Sequence, residues 1–261
     1  MNEQVAKTPI ERIVTALRAA AKHGQPALVA FLTAGYPDRA RFREHLAAVA
    51  QEADLVEIGV PFSDPMADGV TIQRSSEGAL RAGVTLTWIL EELQLMERVK
   101  APLLLMSYMN PLLAFGLERL PEAAAKAGVN GFIVPDLPVD ESDELRAALA
   151  AQGVALVQMV TPVTTPARLR QVVSASTGFV YAVTMTGVTG KNVTVPAEVM
   201  EYLDRVRAAA GVPVCAGFGI RSREQIEALR GHVDGVIVGS ALVEVLERGG
   251  DAGRWLAELR P

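Results

Sequence analysis

Asp54-Leu55-Val56-Glu57-Ile58-Gly59-Val60-Pro61-Phe62-Ser63-Asp64-Pro65-Met66-Ala67-Asp68-Gly69 is the stretch whose reading decides the fold. Leu55–Ile58 is a short apolar strand interrupted by one carboxylate, and Pro61, Asp64-Pro65 and Gly69 turn the next residues into a loop. Side chains alternate along a strand, so Val56, Ile58 and Val60 share one face while Leu55, Glu57 and Gly59 share the other. Both faces are apolar enough to be buried, which is the pattern of a parallel sheet covered by helices. Glu57 then points into an interior near the strand's C-terminal end. A carboxylate there is costly unless it is paired, hydrogen-bonded or shifted in pKa, and such groups cluster at working sites. The plainer alternative is a Glu capped by backbone N–H groups. Asp68 comes later on the loop, within reach of the same cleft, so the two carboxylates read as an acid/base pair.

Working outward, the same unit repeats. An amphipathic helix over 8–22, with Ile10, Ile13, Val14 and Leu17 at helical spacing, precedes a first strand over Ala27–Thr33 and a helix over 38–51. After the strand of Glu57 come one or two helices over 71–98, a strand over 102–107 and a helix near 118–127. A strand over 131–134 runs into Pro135-Asp136-Leu137-Pro138 and a helix over 141–151. The fifth strand is 154–160, and its helix starts after Thr165-Pro166, where Pro suits the first turn. Strands over 178–183, 213–216 and 234–238 come next, with helices over 197–209, 222–229 and beyond Ser240. Eight strand–helix units in 261 residues predict one domain over 1–261, an α/β (β/α)8 TIM barrel with an extra N-terminal helix. A doubly wound open sheet would need fewer strands or a second domain, and no linker-like stretch appears.

Half of the residues are hydrophobic and only 5% aromatic, which suits helices over buried strands. A net charge of −5 argues against nucleic acid and anionic membranes as partners. The single cysteine, Cys215, sits in the strand-like run Val212–Ala216 and reads as a small core residue of a reducing compartment. No window approaches the ~18 apolar residues of a membrane span, and the N-terminus is too charged for a signal peptide. These features predict a cytoplasmic protein.

Barrels of this kind bind substrate at the C-terminal strand ends, often holding a phosphate after strands seven and eight. Here strand seven leads into Gly217-Phe218-Gly219-Ile220, strand eight into Gly239-Ser240, and strand six into Thr186-Gly187-Val188-Thr189-Gly190. Glycines let backbone N–H groups approach an anion, and a helix N-terminus adds a favourable dipole. Three such turns on adjacent strand ends predict an anion site, although Ser240 alone fits a plain helix cap equally well. A Schiff-base aldolase needs a lysine at a strand end, and of Lys7, Lys22, Lys100, Lys126 and Lys191 only Lys191 lies near one. A metal-dependent aldolase needs clustered ligands, and His23, His45 and His232 fall on helices or helix ends, as surface residues do. That leaves carboxylate acid/base chemistry, which can cleave a carbon–carbon bond when the substrate supplies its own electron sink. A 3-substituted indole does so, because protonation at C3 gives an iminium-like ring.

Glu57-Ile58-Gly59-Val60-Pro61-Phe62-Ser63-Asp64-Pro65 with Ala67-Asp68-Gly69 resembles the signature of the tryptophan synthase α chain family. The likeness continues through Thr71-Ile72-Gln73, Asn110-Pro111, Pro135–Pro138, Gly187–Gly190, Gly217–Ile220 and Val238-Gly239-Ser240, covering about Ile10 to Leu246. The family cleaves indole-3-glycerol phosphate to indole and glyceraldehyde 3-phosphate. The resemblance implies Glu57 as the acid/base at indole C3 and the glycerol hydroxyl, and Asp68 as the partner of the indole N–H. It implies Gly190, Gly219, Gly239 and Ser240 around the phosphate, and Phe31, Tyr108, Tyr181 and Phe218 around the indole and glycerol. It also implies no metal and no cofactor of the chain's own, and a β chain that carries pyridoxal phosphate in an α2β2 heterotetramer. Val70, Phe115, Thr184 and Thr161-Pro162-Val163-Thr164 depart from the family's usual residues, and none of them touches the two carboxylates.

Rival readings are a sugar-phosphate isomerase barrel, a barrel that only binds the phosphate ligand to regulate a partner, and a stand-alone lyase without a β partner. Residues 61–70 and 185–195 have few apolar anchors and are predicted to close together over substrate, with Thr189 latching onto a carboxylate of the facing loop.

Overall fold

The computed structural model describes residues 7–22, 24–184, 195–217 and 219–260. Among them, eight parallel strands close into a barrel in sequence order, β8 pairing with β1. The order runs α1 (Pro9–Lys22), β1 (Ala27–Thr33), α2 (Phe42–Glu52), β2 (Leu55–Gly59), α3 (Val70–Arg81), α4 (Leu86–Leu95) and β3 (Leu103–Met106). It continues with α5 (Met109–Phe115), α6 (Leu120–Ala127), β4 (Val129–Ile133), α7 (Asp143–Ala150), β5 (Ala155–Val160), α8 (Pro166–Ala175) and β6 (Val180–Val183). The last part is α9 (Ala197–Ala209), β7 (Val214–Gly217), α10 (Arg223–Ala228), β8 (Gly235–Val238), α11 (Ser240–Glu247) and α12 (Ala252–Leu259).

Strand alternation sorts the apolar residues into two cores. Leu28, Ala30, Leu32, Val56 and Ile58 face outward into the layer shared with the helices. Val29, Leu55, Leu104, Ile133, Val157, Phe179, Cys215 and Ile237 fill the barrel together with Ile13 and Leu17 of α1. The extra N-terminal helix is therefore the barrel's plug: Ile13 and Leu17 are fully buried, each worth about 1.5–3 kcal/mol of apolar burial, and Ile10 N–H donates to Gly153 C=O just before β5. Cys215 belongs to this interior, as its strand position predicts, and burial pushes its thiol pKa up.

The N-terminal rim repeats one device at every second strand pair. A side-chain oxygen at the start of an even strand accepts the N–H at the start of the odd strand before it: Asp54 from Leu28 (2.8 Å), Asn130 from Leu103 (3.0 Å), Thr177 from Leu156 (2.8 Å) and Asp234 from Val214 (2.8 Å). Asp54, Thr177 and Asp234 return the bond, their own N–H groups donating to the C=O of Leu28, Leu156 and Val214. Buried backbone donors that would face nothing at a barrel's end are satisfied in this way.

The structure departs from the sequence expectations at two places here. Met109–Phe115 is helical where the sequence reading places no element between the third strand and the helix near 118–127; Pro111 falls in the first turn, where its missing N–H costs nothing. His45 is not a surface residue but is buried on α2, its Nδ1 without a partner among the described residues, and burial lowers its pKa. His232 pairs with Asp204 at 2.8 Å, and His23 lies outside the described residues. No described helix is long and apolar enough to cross a membrane.

Candidate active site

Parallel strands put all eight C-terminal ends on one rim. At that rim a cavity of about 370 Å³ is lined by Phe31 of β1, Glu57 of β2, Met106 of β3, Tyr181 of β6, Gly217 of β7 and Ile237 of β8, with Asp68, Gly219, Gly239 and Ser240 from the connections above. A larger cavity, about 460 Å³, lies between α2 and the α4–β3 connection on the opposite side. Size does not choose between the two; the placement of the carboxylates does.

Glu57 is wholly buried, pairs in register with Phe31 and Leu104, and neither carboxylate oxygen has a hydrogen-bond partner among the described residues. Burial alone raises its pKa from the usual 4.5 to about 8. Among the described residues no backbone N–H caps this carboxyl, against the backbone-capped alternative, and burial favours its protonated form.

Asp68 is half-buried and differently placed. Burial raises its pKa, and the Tyr108 hydroxyl, donating to Oδ2 at 3.0 Å, offsets only part of that rise. The same hydroxyl accepts the Ala67 N–H at 2.9 Å, and the Tyr108 ring stacks on Phe62 with centroids 5.0 Å apart. Gln73 Nε2 donates to the Asp68 C=O at 2.9 Å, and Phe62 N–H donates to Ser76 Oγ at 2.8 Å. The loop that carries Asp68 is thus tied down at three residues, more than its composition predicts. Tyr181 registers both carboxylates: burial first, then the charges of Glu57 and Asp68, raise its phenol pKa.

On the phosphate side, Gly239 is the N-cap of α11, Ser240 its first residue, and no described side chain caps that end. The first N–H groups of α11 and the helix dipole are therefore open to an anion in the cavity. Gly219 has φ 63°, a left-handed conformation that suits glycine. Gly217 is needed for space, since a Cβ there would sit 2.5 Å from the Tyr181 hydroxyl.

A family model described as tryptophan synthase alpha chain matches residues 17–258. The chain belongs to that family. It is 45% identical over 247 residues to the tryptophan synthase alpha chain of Nitratidesulfovibrio vulgaris strain DP4, covering 94% of this chain and 96% of that one. Against the alpha chain of Bacillus mycoides it is 43% identical, covering 91% and 92%. Among solved structures, tryptophan synthase from M. tuberculosis in an open form with BRD0059 bound is similar with a TM-score of 0.86 at 35% identity, covering 95% and 96%. The alpha subunit from Legionella pneumophila strain Paris gives 0.87 at 27%, covering 98% of both chains.

Of the residues that the tryptophan synthase α resemblance singles out, the cavity gathers Glu57, Asp68, Phe31, Tyr181, Gly219, Gly239 and Ser240. Tyr108 is not among the lining residues: it stands behind Asp68 as that carboxylate's hydrogen-bond donor, because the chain turns from β3 into α5 there. Thr189, Gly190 and Phe218 lie outside the described residues. The sequence reading missed Met106, Ile72, Ile237 and Thr184. Met106 and Ile237 have the right strand parity but carry no chemical signal. Thr184 reaches the site by donating to the Gly217 C=O at 2.7 Å, a contact that spacing does not reveal.

Proposed function

We propose that this cavity is where the chain carries out the family's reaction, with Glu57 moving protons and Asp68 holding charge. As a tryptophan synthase α chain it is a carbon–carbon lyase that cleaves indole-3-glycerol phosphate into indole and glyceraldehyde 3-phosphate in L-tryptophan biosynthesis. In our reading Glu57 starts protonated and delivers its proton to indole C3. The cationic ring accepts the electron pair of the breaking bond between C3 and the glycerol carbon. The hydroxyl proton on that carbon passes to the Glu57 carboxylate, giving the aldehyde and restoring the acid. One group can serve as acid and then base because its pKa lies near the working pH. Asp68, pulled toward its charged form by Tyr108, accepts the indole N–H and stabilises the developing positive charge. Separation of two carboxyl environments in this way is the usual route to distinct acid and electrostatic roles.

Gly219, Gly239 and Ser240 would take the phosphate, with Gly190 and Thr189 joining from the loop after β6. Phe31 and Tyr181 would hold the indole and glycerol, with Phe218 beside them. The chemistry asks for no cofactor of this chain's own, since the indole is the electron sink; pyridoxal phosphate belongs to the β chain that completes an α2β2 assembly. Met66, Val70, Leu113 and Val163 are exposed apolar residues on connections of the same rim, which suits a protein partner there. We place this one-domain enzyme in the cytoplasm.

The observation that carries the reading is Glu57, buried and without a hydrogen-bond partner among the described residues, facing the same cavity as Asp68 and the open N-terminus of α11. Purified chain should release indole from indole-3-glycerol phosphate, faster with a β chain present, and should co-elute with that chain. Turnover without any β-dependent change in rate or elution would point to a stand-alone lyase; absence of indole release in either sample would defeat the assignment of the site.

A further inference from the structure

Outside the cavity, α11 presents two carboxylates one turn apart, and each takes a forked arginine from a different part of the barrel. Glu247 accepts from Arg74 of α3 at 2.9 and 2.8 Å and from the Tyr36 hydroxyl at 2.7 Å. Glu244 accepts from Arg221 at 2.8 and 2.9 Å, with the Thr71 hydroxyl of α3 at 3.3 Å. Both carboxylates are about one-fifth exposed (19% and 21%) although the guanidinium groups are half open to solvent. The arginines hold both acids below the usual carboxylate range.

None of these four charged residues lines the cavity, yet each holds one of its walls. Arg74 rides on α3, whose N-cap Gly69 directly follows Asp68. Arg221 comes two residues after Gly219. Glu244 and Glu247 belong to α11, whose open N-terminus is Gly239-Ser240. We infer that Glu244 and Glu247 are positioning residues: Glu244 fixes the backbone after β7 relative to α11, and Glu247 fixes α3, the helix that directly follows the Asp68 loop, relative to α11. The inference rests on the phosphate reading above and deepens it, since the distance from the phosphate cradle to Asp68 is then set by this pair of ion pairs.

The two arms predict opposite kinetic signatures. With purified chain and glycerol 3-phosphate as a competitive probe, Glu244→Gln and Arg221→Ala should raise the inhibition constant and KM with kcat near wild type. Glu247→Gln and Arg74→Ala should lower kcat and leave the inhibition constant near wild type. Each effect should be about threefold to fivefold, the ceiling for half-exposed pairs. The double variant Arg74→Ala/Glu247→Gln should be no worse than either single, because both remove the same bond. Proportional changes of kcat and inhibition constant in all four variants would mean a merely structural role and overturn the inference. An unchanged inhibition constant in Glu244→Gln, with the wild type inhibited normally, would overturn the inference alone. A wild type that glycerol 3-phosphate does not inhibit would remove the phosphate reading and the inference together.

Discussion

The two rims of this barrel treat their carboxyl groups in opposite ways. At the N-terminal rim Asp54 and Asp234 each accept a strand N–H and pair with an arginine, Arg260 at 3.2 Å and Arg207 at 3.5 Å. At the C-terminal rim Glu57 is more deeply buried than either and has no hydrogen-bond partner among the described residues. The first arrangement stabilises a fold. The second costs stability and yields a proton held near neutral pH, so the difference between the rims separates residues kept for structure from residues kept for chemistry. A barrel built only to bind would have no need of the second kind.

Breaking the contrast at its strongest point gives the largest effect. Glu57→Gln should lose roughly 10²–10⁴-fold or more in kcat for indole release, as expected when a positioned proton-transfer group is removed. The same variant should be more stable than wild type. Because the folded-state pKa is raised from 4.5 to about 8, the unfolded chain gives up its proton first as pH rises. Stability that is complete below about pH 4.5 is then lost progressively up to about pH 8, amounting to about 3 kcal/mol by pH 7. Glu57→Gln should flatten that dependence, as urea unfolding at pH 5, 7 and 8.5 would read. For wild type, kcat/KM should fall as pH rises through about 8, where the free enzyme loses the starting proton. A variant both active and no more stable at pH 7 would erase the contrast between the rims.

Asp68→Asn comes next. An amide keeps the shape and a hydrogen-bond acceptor but cannot balance the cationic ring, so kcat should fall by about 10²–10³-fold. Circular dichroism and melting temperature should stay close to wild type, because this residue is only half-buried. Retention of most of kcat would reduce Asp68 to a loop residue held by Tyr108.

At the other rim the effect should move from kinetics to stability. Asp234→Ala leaves the Val214 N–H without its acceptor at a buried strand start, a loss of about 1–3 kcal/mol in unfolding free energy. Indole release per folded molecule should be unchanged. If Asp234→Ala lowered kcat while leaving urea unfolding alone, the division of labour between the rims would be wrong.

How much of this is legible in the sequence depends on which parts are periodic. Strand parity places Glu57 inside, and glycines after strands seven and eight mark the open end of α11, because a two-residue period and a turn residue are both local signals; Phe31 and Tyr181 come from the family resemblance. The plug role of Ile13 and Leu17 is half visible: their helical spacing shows, but not the cavity they fill. Tyr108 reads as a pocket residue through the family resemblance, whereas loop geometry turns it behind Asp68. The rim device is hidden for a related reason: Asp54 and Asp234 immediately precede their strands, but Asn130 is the second residue of β4 and Thr177 lies three before β6, so no common spacing shows. Helix α5 goes unread because seven residues are too few to show a helical period, and Pro111 is compatible with it only because it falls in the first turn.

The smallest predicted effect tests how Asp68 is kept charged on the chemical rim. Tyr108→Phe retains the ring that stacks on Phe62 and removes one hydroxyl, the donor to Asp68 Oδ2 and acceptor of the Ala67 N–H. Of the two influences on Asp68, burial raises its pKa and this hydrogen bond lowers it. Without the bond the raising influence acts alone, so a higher pH is needed to ionise the carboxylate. The acid limb of the kcat profile should therefore move to higher pH. At pH 7 the loss should be modest, about threefold to tenfold, matching the roughly 0.5–1.5 kcal/mol net worth of a single hydrogen bond. It should deepen on acidification and shrink toward pH 8, whereas a packing defect would lower kcat by the same factor at every pH. A uniform loss would therefore leave Tyr108 as a support for the loop alone, and Asp68 would then owe its ionised form to the substrate's own indole N–H.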